Sequence, residues 1–133
     1  MKYEFSPELQ AKAEDVCRVL FPHVRCDRIK CYRSRGTSTR GTIARCHAMG
    51  KIMQEALGVD AFYVLEFITE RFDRMSEEDK VKVIIHELMH IPKTFGGGFR
   101  HHDHVTDKNV ELHYNTYIGK KEERKKYASW FKI

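Results

Sequence analysis

One short segment of the chain carries residue types at the spacing that metal-dependent hydrolysis requires. His86, Glu87 and His90 form the pattern HExxH. Residues four apart on an α-helix project from the same side, one turn apart, so both imidazoles can coordinate one zinc ion. Glu87 is displaced by about 100° around the helix. Its carboxylate can therefore serve as a general base toward a water on the metal without being a ligand itself.

A hydrolytic zinc site needs a third protein ligand and one open position. This ligand must follow Pro92, which ends the helical pattern, and the glycines at 96–98 would let the chain fold back. The candidates are His101, His102, His104, Glu111 and His113. Spacing alone does not choose among them. A fourth protein ligand would close the site and give a structural zinc instead.

The pattern around HExxH predicts the helix that must carry it, over residues 76–91. Ser76 can cap its start, and an acidic first turn suits a helix N-terminus. An apolar stripe faces away from the two histidines and consists of Val81, Ile84, Ile85 and Leu88. We expect this stripe to pack on a sheet and the histidines to face a cleft.

The remaining periodicities predict the elements on which that helix rests. Helices are expected at 7–20 and 107–118, a short helical turn at 50–57, and strands at 26–33, 42–48 and 61–68. The loop 34–41 is expected to join the first two strands as a long hairpin connection. The strand at 61–68 is expected to offer an edge to an extended substrate.

This order of elements predicts an α+β fold. We expect one domain over residues 1–133, with a small, mostly antiparallel sheet packed against the HExxH helix and a solvated basic tail at about 119–133.

The run from Tyr63 to His102 resembles a family described as putative metallopeptidases of archaea and phages. The residues that carry this resemblance are Glu66-Phe67-Ile68, Arg71-Phe72-Asp73 and His86 to Pro92, together with Arg33 to Ser38 and Ala44-Arg45. The family is similar to small zincins of the SprT-like kind, which implies a zinc-dependent peptidase acting on proteins or peptides. There the third ligand is a histidine in a loop after the helix, followed shortly by an apolar residue, which favours His102 here.

A second interpretation starts from the Arg-rich segment 24–45. It holds seven basic residues and one acidic residue, a local net charge of +6, while the whole chain carries +5. Clustered arginines suit phosphates. The alternative function is therefore a nucleic-acid-associated zinc protein, in which the zinc is structural or serves phosphodiester hydrolysis.

Composition and cysteine content narrow the class of protein. Apolar residues make up 41% of the 133 residues, which is enough for a buried core, and no apolar run is long enough to span a bilayer. The first residues contain no apolar stretch of the secretory type. We therefore expect a cytoplasmic protein without membrane contact, in which Cys17, Cys26, Cys31 and Cys46 are free thiols.

Overall fold

The chain folds into four strands and five α-helices in the computed structural model, which describes residues 1–100 and 104–130. In chain order the elements are β1 (Lys2–Phe5), α1 (Pro7–Leu20), a 3₁₀ turn (Cys26–Arg28), β2 (Ile29–Arg35), β3 (Ala44–Ala48), α2 (Lys51–Leu57), β4 (Tyr63–Ile68), α3 (Thr69–Phe72), α4 (Glu77–Met89) and α5 (Asp107–Trp130). The predicted α+β class is confirmed. Sequence periodicity missed β1, because its four residues are all exposed.

The four strands form one mixed sheet in the order β1-β2-β4-β3. β1 pairs with β2 and β3 pairs with β4 in antiparallel fashion, whereas β2 and β4 run parallel. The predicted hairpin between β2 and β3 is therefore wrong, because β4 lies between them. The loop after β2 crosses the end of β4 instead, where Arg71 Nη1 donates to the carbonyl of Thr42 at 2.7 Å.

The prediction that the strand at 61–68 offers a free edge is also wrong. β4 is a central strand, and five of its six residues are buried. A strand that is apolar on both faces buries the most apolar surface when it lies in the middle of a sheet, which explains this placement. β3, which pairs with β4, is the strand at that edge of the sheet, and β1 is the strand at the other edge.

Helices α1 and α4 cover one face of the sheet and share a hydrophobic core with it. Side chains alternate along β2, so that Ile29 and Cys31 face this core while Lys30 is exposed. α5 packs across α1 and α4 and continues through the predicted basic tail, whose residues from 119 to 130 are exposed. Among the helices of the described residues, none combines the length and the apolar character that crossing a membrane requires.

The cysteines differ from the expectation of four free thiols. Cys17 of α1 and Cys26 of the 3₁₀ turn form a disulfide, with Cα atoms 6.4 Å apart. The loop between α1 and β2 is short enough to bring the two side chains together, which a sequence pattern does not reveal. Cys31 and Cys46 are free, and Leu65 of β4 lies between them in the sheet register.

Candidate metal centre

Helix α4 holds the HExxH residues as the sequence predicts. Ser76 Oγ accepts a hydrogen bond from the Asp79 backbone N–H at 3.1 Å and thereby caps the helix. The predicted apolar stripe is buried and faces the sheet, with Val81, Ile84, Ile85 and Leu88 at most 9% exposed. Because that stripe fixes the rotation of the helix about its axis, His86 and His90 are turned away from the core and are half-buried.

The side chains of His86, Glu87 and His90 converge on one point. Their potential ligand atoms all lie within 4.8 Å of one another, and the two imidazole centroids are 5.1 Å apart. Two imidazoles on consecutive turns suit a divalent ion such as zinc. The described residues thus provide a group that can hold a metal ion.

His90 is fixed by the chain segment that follows the helix. Its Nδ1 lies 2.7 Å from the carbonyl oxygen of Arg100, and its own carbonyl accepts the Arg100 N–H at 2.7 Å. A carbonyl can only accept, so Nδ1 carries the proton and Nε2 is the nitrogen suited to a metal. Such a hydrogen bond sets both the tautomer and the ring orientation of a ligating histidine.

Glu87 is buried beside the two histidines, with 5% of its surface exposed. Burial raises the pKa of its carboxyl group to about 7. A carboxylate in that range can take up and release a proton near neutral pH, as a general base must. A cation bound next to it would lower this pKa again, because it favours the charged form.

A cleft of about 500 Å³ opens over His86 and Glu87. Its walls come from three elements: the stretch from Gly41 to Ala44 that leads into β3, the outer side of α4, and the first turns of α5. Apolar and charged side chains both line it, among them Ile43, Met75, Val110, Asp107 and Glu111. The cleft therefore runs beside the edge strand of the sheet.

The third-ligand candidates fall in different places. His101 and His102 lie outside the described residues. Glu111 lines the same cleft but forms an ion pair with Lys82, whose Nζ lies 2.5 Å from its Oε1. His113 packs against Phe21 with ring centroids 5.1 Å apart, and burial, aided by nearby His104, lowers the pKa of its imidazole. Among the described residues, neither Glu111 nor His113 belongs to the metal-binding group.

The loop between α4 and Arg100 is anchored by a residue that the sequence analysis did not select. The hydroxyl of Tyr63 on β4 accepts the Gly97 N–H at 3.0 Å and donates to the Gly98 carbonyl at 2.8 Å. Gly97 has a φ of +102°, and a Cβ there would lie 2.2 Å from the Met49 carbonyl oxygen. The three glycines are expected from the sequence to let the chain fold back, and at Gly97 the glycine also allows close packing.

The Arg-rich segment 24–45 does not form the expected hairpin, and several of its arginines make contacts within the chain. Arg25 pairs with Asp27, Arg28 donates to the carbonyl of Ala61, Arg33 donates to Ser6 and pairs with Asp73, and Arg45 donates to Thr37. These contacts connect the segment to the start of α1, to the approach to β4 and to α3. Four of its seven basic residues therefore have partners within the chain.

The comparisons with known proteins agree with this geometry. No curated protein and no solved structure matches the chain. A family model, however, matches residues 1–124, which include all four strands and the whole of α4. The chain belongs to the family described as putative phage metallopeptidase.

Proposed function

We propose that this protein is a zinc-dependent peptidase in which His86, His90 and His102 hold one zinc ion and Glu87 is the general base. The observation that carries the proposal is the proximity of His86, Glu87 and His90, whose potential ligand atoms lie within 4.8 Å of one another, beside a cleft that His86 and Glu87 line. Two imidazoles beside a buried carboxyl group match the donor set of a hydrolytic zinc site. Membership of a metallopeptidase family supports the reaction class.

Zinc bound there would lower the pKa of a coordinated water and polarise the carbonyl of the scissile peptide bond. Glu87 would take a proton from the attacking water as its oxygen bonds to the carbonyl carbon. The same carboxyl group would then deliver that proton to the leaving amine nitrogen as the C–N bond breaks.

His102 is the proposed third ligand, since Arg100 is bonded to His90 through both its N–H and its carbonyl oxygen. Two further residues of chain span at most about 7 Å. This span permits a ligand from the residues that follow Arg100, and the family resemblance favours His102 among them. The open fourth position would take the water.

An extended peptide is the substrate that fits the cleft. β3 is the edge strand there, and the Ile68 N–H donates to the Ile43 carbonyl just before β3 begins. Hydrogen bonding alternates along an antiparallel pair, so Ala44 and Cys46 direct their backbone groups away from β4. A substrate strand pairing with them would pass over Glu87. We place the enzyme in the cytoplasm, with proteins or peptides as substrates.

The test uses zinc-loaded protein and a quenched-fluorescence peptide library. Glu87→Gln should lower turnover by about 10²- to 10⁴-fold while metal analysis still finds one zinc ion per chain. Glu123→Gln, on the exposed part of α5, is the matched control and should keep full activity. Turnover that survives Glu87→Gln would overturn the mechanism. X-ray absorption showing four protein ligands would overturn the hydrolytic site.

A further inference from the structure

The sheet has a second face, opposite to α1 and α4, that the proposed peptidase site does not use. On this face β1 contributes Tyr3 and Phe5, β2 contributes Lys30 and Tyr32, and Val64 of β4 lies beside them. Ser34 and Ile68, at one end of the face, are buried. The rest is open, and two shallow depressions of about 350 and 480 Å³ meet at Tyr32 and Val64.

Aromatic rings dominate the open part of this face. Tyr3 is 63% exposed and Phe5 is 38% exposed. Phe5 and Tyr32 pack edge to face with centroids 5.7 Å apart. Phe62, which precedes β4, lines the same depression as Phe5 and Tyr32. The rings therefore extend across three neighbouring strands.

Positive charge lies among these rings. Lys30 Nζ is 6.0 Å from the centroid of Phe5, and the Arg28 guanidinium is 5.6 Å from that of Phe62. The carboxylate on this face, Glu66, is 3% exposed because Ser34 and His47 hold it at 2.6 and 2.7 Å. Glu66 lines one of the two depressions but is almost wholly buried there, so an approaching ligand meets mainly cations and aromatic rings.

We propose that this open face binds single-stranded nucleic acid. Bases would stack on Tyr3 and Tyr32, and the phosphate between them would contact Lys30. Arg28 would add its positive charge nearby, while it lies over Phe62 and donates to the Ala61 carbonyl. Four-stranded sheets with exposed aromatic rings stack two or three bases in this way, and every base offers a π-face. A peptide backbone carries neither bases that stack on aromatic rings nor phosphates that pair with the neighbouring cations. The face lies on the opposite side of the sheet from Glu87, so binding there is separate from peptide hydrolysis.

The aromatic contribution is tested by fluorescence anisotropy with a fluorescein-labelled oligothymidylate. Alanine substitution of a stacking residue typically costs about 1–3 kcal/mol per base, or about 5- to 150-fold in Kd. We expect a loss in this range for Tyr3→Ala and Tyr32→Leu. Tyr127→Ala, at a tyrosine of α5 that is 69% exposed, is the matched control and should leave Kd unchanged. Circular dichroism shows whether each variant is folded.

The charge contribution is tested by the salt dependence of the same binding. Lys30→Gln should reduce the slope of log affinity against log salt concentration by about 0.7, as expected for one lost phosphate contact on a single strand. Lys120→Gln removes an equal charge from α5 and should leave the slope unchanged. Glu87→Gln should not alter binding, which separates this proposal from the peptidase proposal.

Three outcomes would overturn the proposal. The first is an unchanged Kd in the folded Tyr3→Ala and Tyr32→Leu proteins. The second is binding to duplex DNA as tight as to the single strand, since paired bases do not offer their faces for stacking. The third is a dimer in solution that Tyr3→Ala dissociates, because a second copy of the chain would then cover this face.

Discussion

The Nδ1 atom of His90 lies 2.7 Å from the carbonyl oxygen of Arg100. This contact joins the end of the HExxH helix to a loop ten residues further along the chain. It fixes which nitrogen of His90 carries the proton, and it holds the following chain segment next to the metal-binding group. The helix supplies the imidazoles of His86 and His90, and the loop determines how the ring of His90 is oriented.

The third ligand is predicted to be His102. Zinc affinity measured by competition with a chelator should fall in His102→Ala as far as in His86→Ala. This loss should exceed the roughly 10- to 100-fold that follows when a group that only orients a ligand is removed. His101→Ala and His104→Ala are the controls and should stay within a few-fold of the wild type. A larger loss in His104→Ala would identify His104 as the ligand instead.

Tyr63→Phe should loosen the loop that carries Arg100. The variant keeps the ring that packs against Phe95 with centroids 4.9 Å apart, but it removes the partner of Gly97 N–H and Gly98 C=O. Unpaired polar groups of this kind cost about 1–3 kcal/mol. Urea unfolding measures this loss, and zinc affinity should fall with it. Tyr114→Phe, whose hydroxyl bonds to Glu78 at an exposed site, should change neither quantity.

Gly97→Ala should destabilise the folded protein far more than Gly98→Ala does. A Cβ at position 97 would lie 2.2 Å from a backbone oxygen, and the φ of +102° is one that alanine rarely adopts. At position 98 a Cβ would meet open space. We expect a loss of more than about 1 kcal/mol for the first variant, from strained backbone alone. Equal thermal midpoints for the two variants would contradict this account of the loop.

Asp15 should make stability depend on pH in the acidic range. A hydrogen bond from Arg124 lowers the pKa of its carboxyl group; burial opposes this effect, and the Tyr117 hydroxyl adds to it. The folded-state pKa is thus below the unfolded value of about 4. The folded state binds fewer protons, so the stabilisation is present above pH 4 and is lost as pH falls through the folded-state pKa.

The measurement for Asp15 compares urea unfolding of the wild type and Asp15→Asn between neutral and acidic pH. The wild type should be more stable at pH 7, by less than about 1 kcal/mol because the ion pair is partly exposed. This advantage should vanish at low pH. Asp60→Asn, at an exposed loop position, is the control. A difference for Asp15→Asn that does not vary with pH would contradict the prediction.

Local patterns explain which parts of the fold were predictable. The cap at Ser76, the stripe from Val81 to Leu88 and the stop at Pro92 act within one helix, so α4 and its HExxH residues follow from the sequence. The same holds for α1, where Ser6 caps the helix and Pro7 begins it. Propensity, capping and period 3.6 depend on neighbours a few residues away.

The tertiary structure alone decided the order of strands and the contacts between distant segments. An alternating strand has the same pattern whichever strand it pairs with, so the sequence did not reveal that β4 separates β2 from β3. The Arg100 contact with His90 and the Tyr63 contacts with the glycine loop likewise join residues far apart in the chain or on different elements. The sequence by itself determined the two imidazoles and the carboxylate of the site, because one helix spaces all three. Folding determined what surrounds them, because packing between distant segments is not encoded in any local spacing.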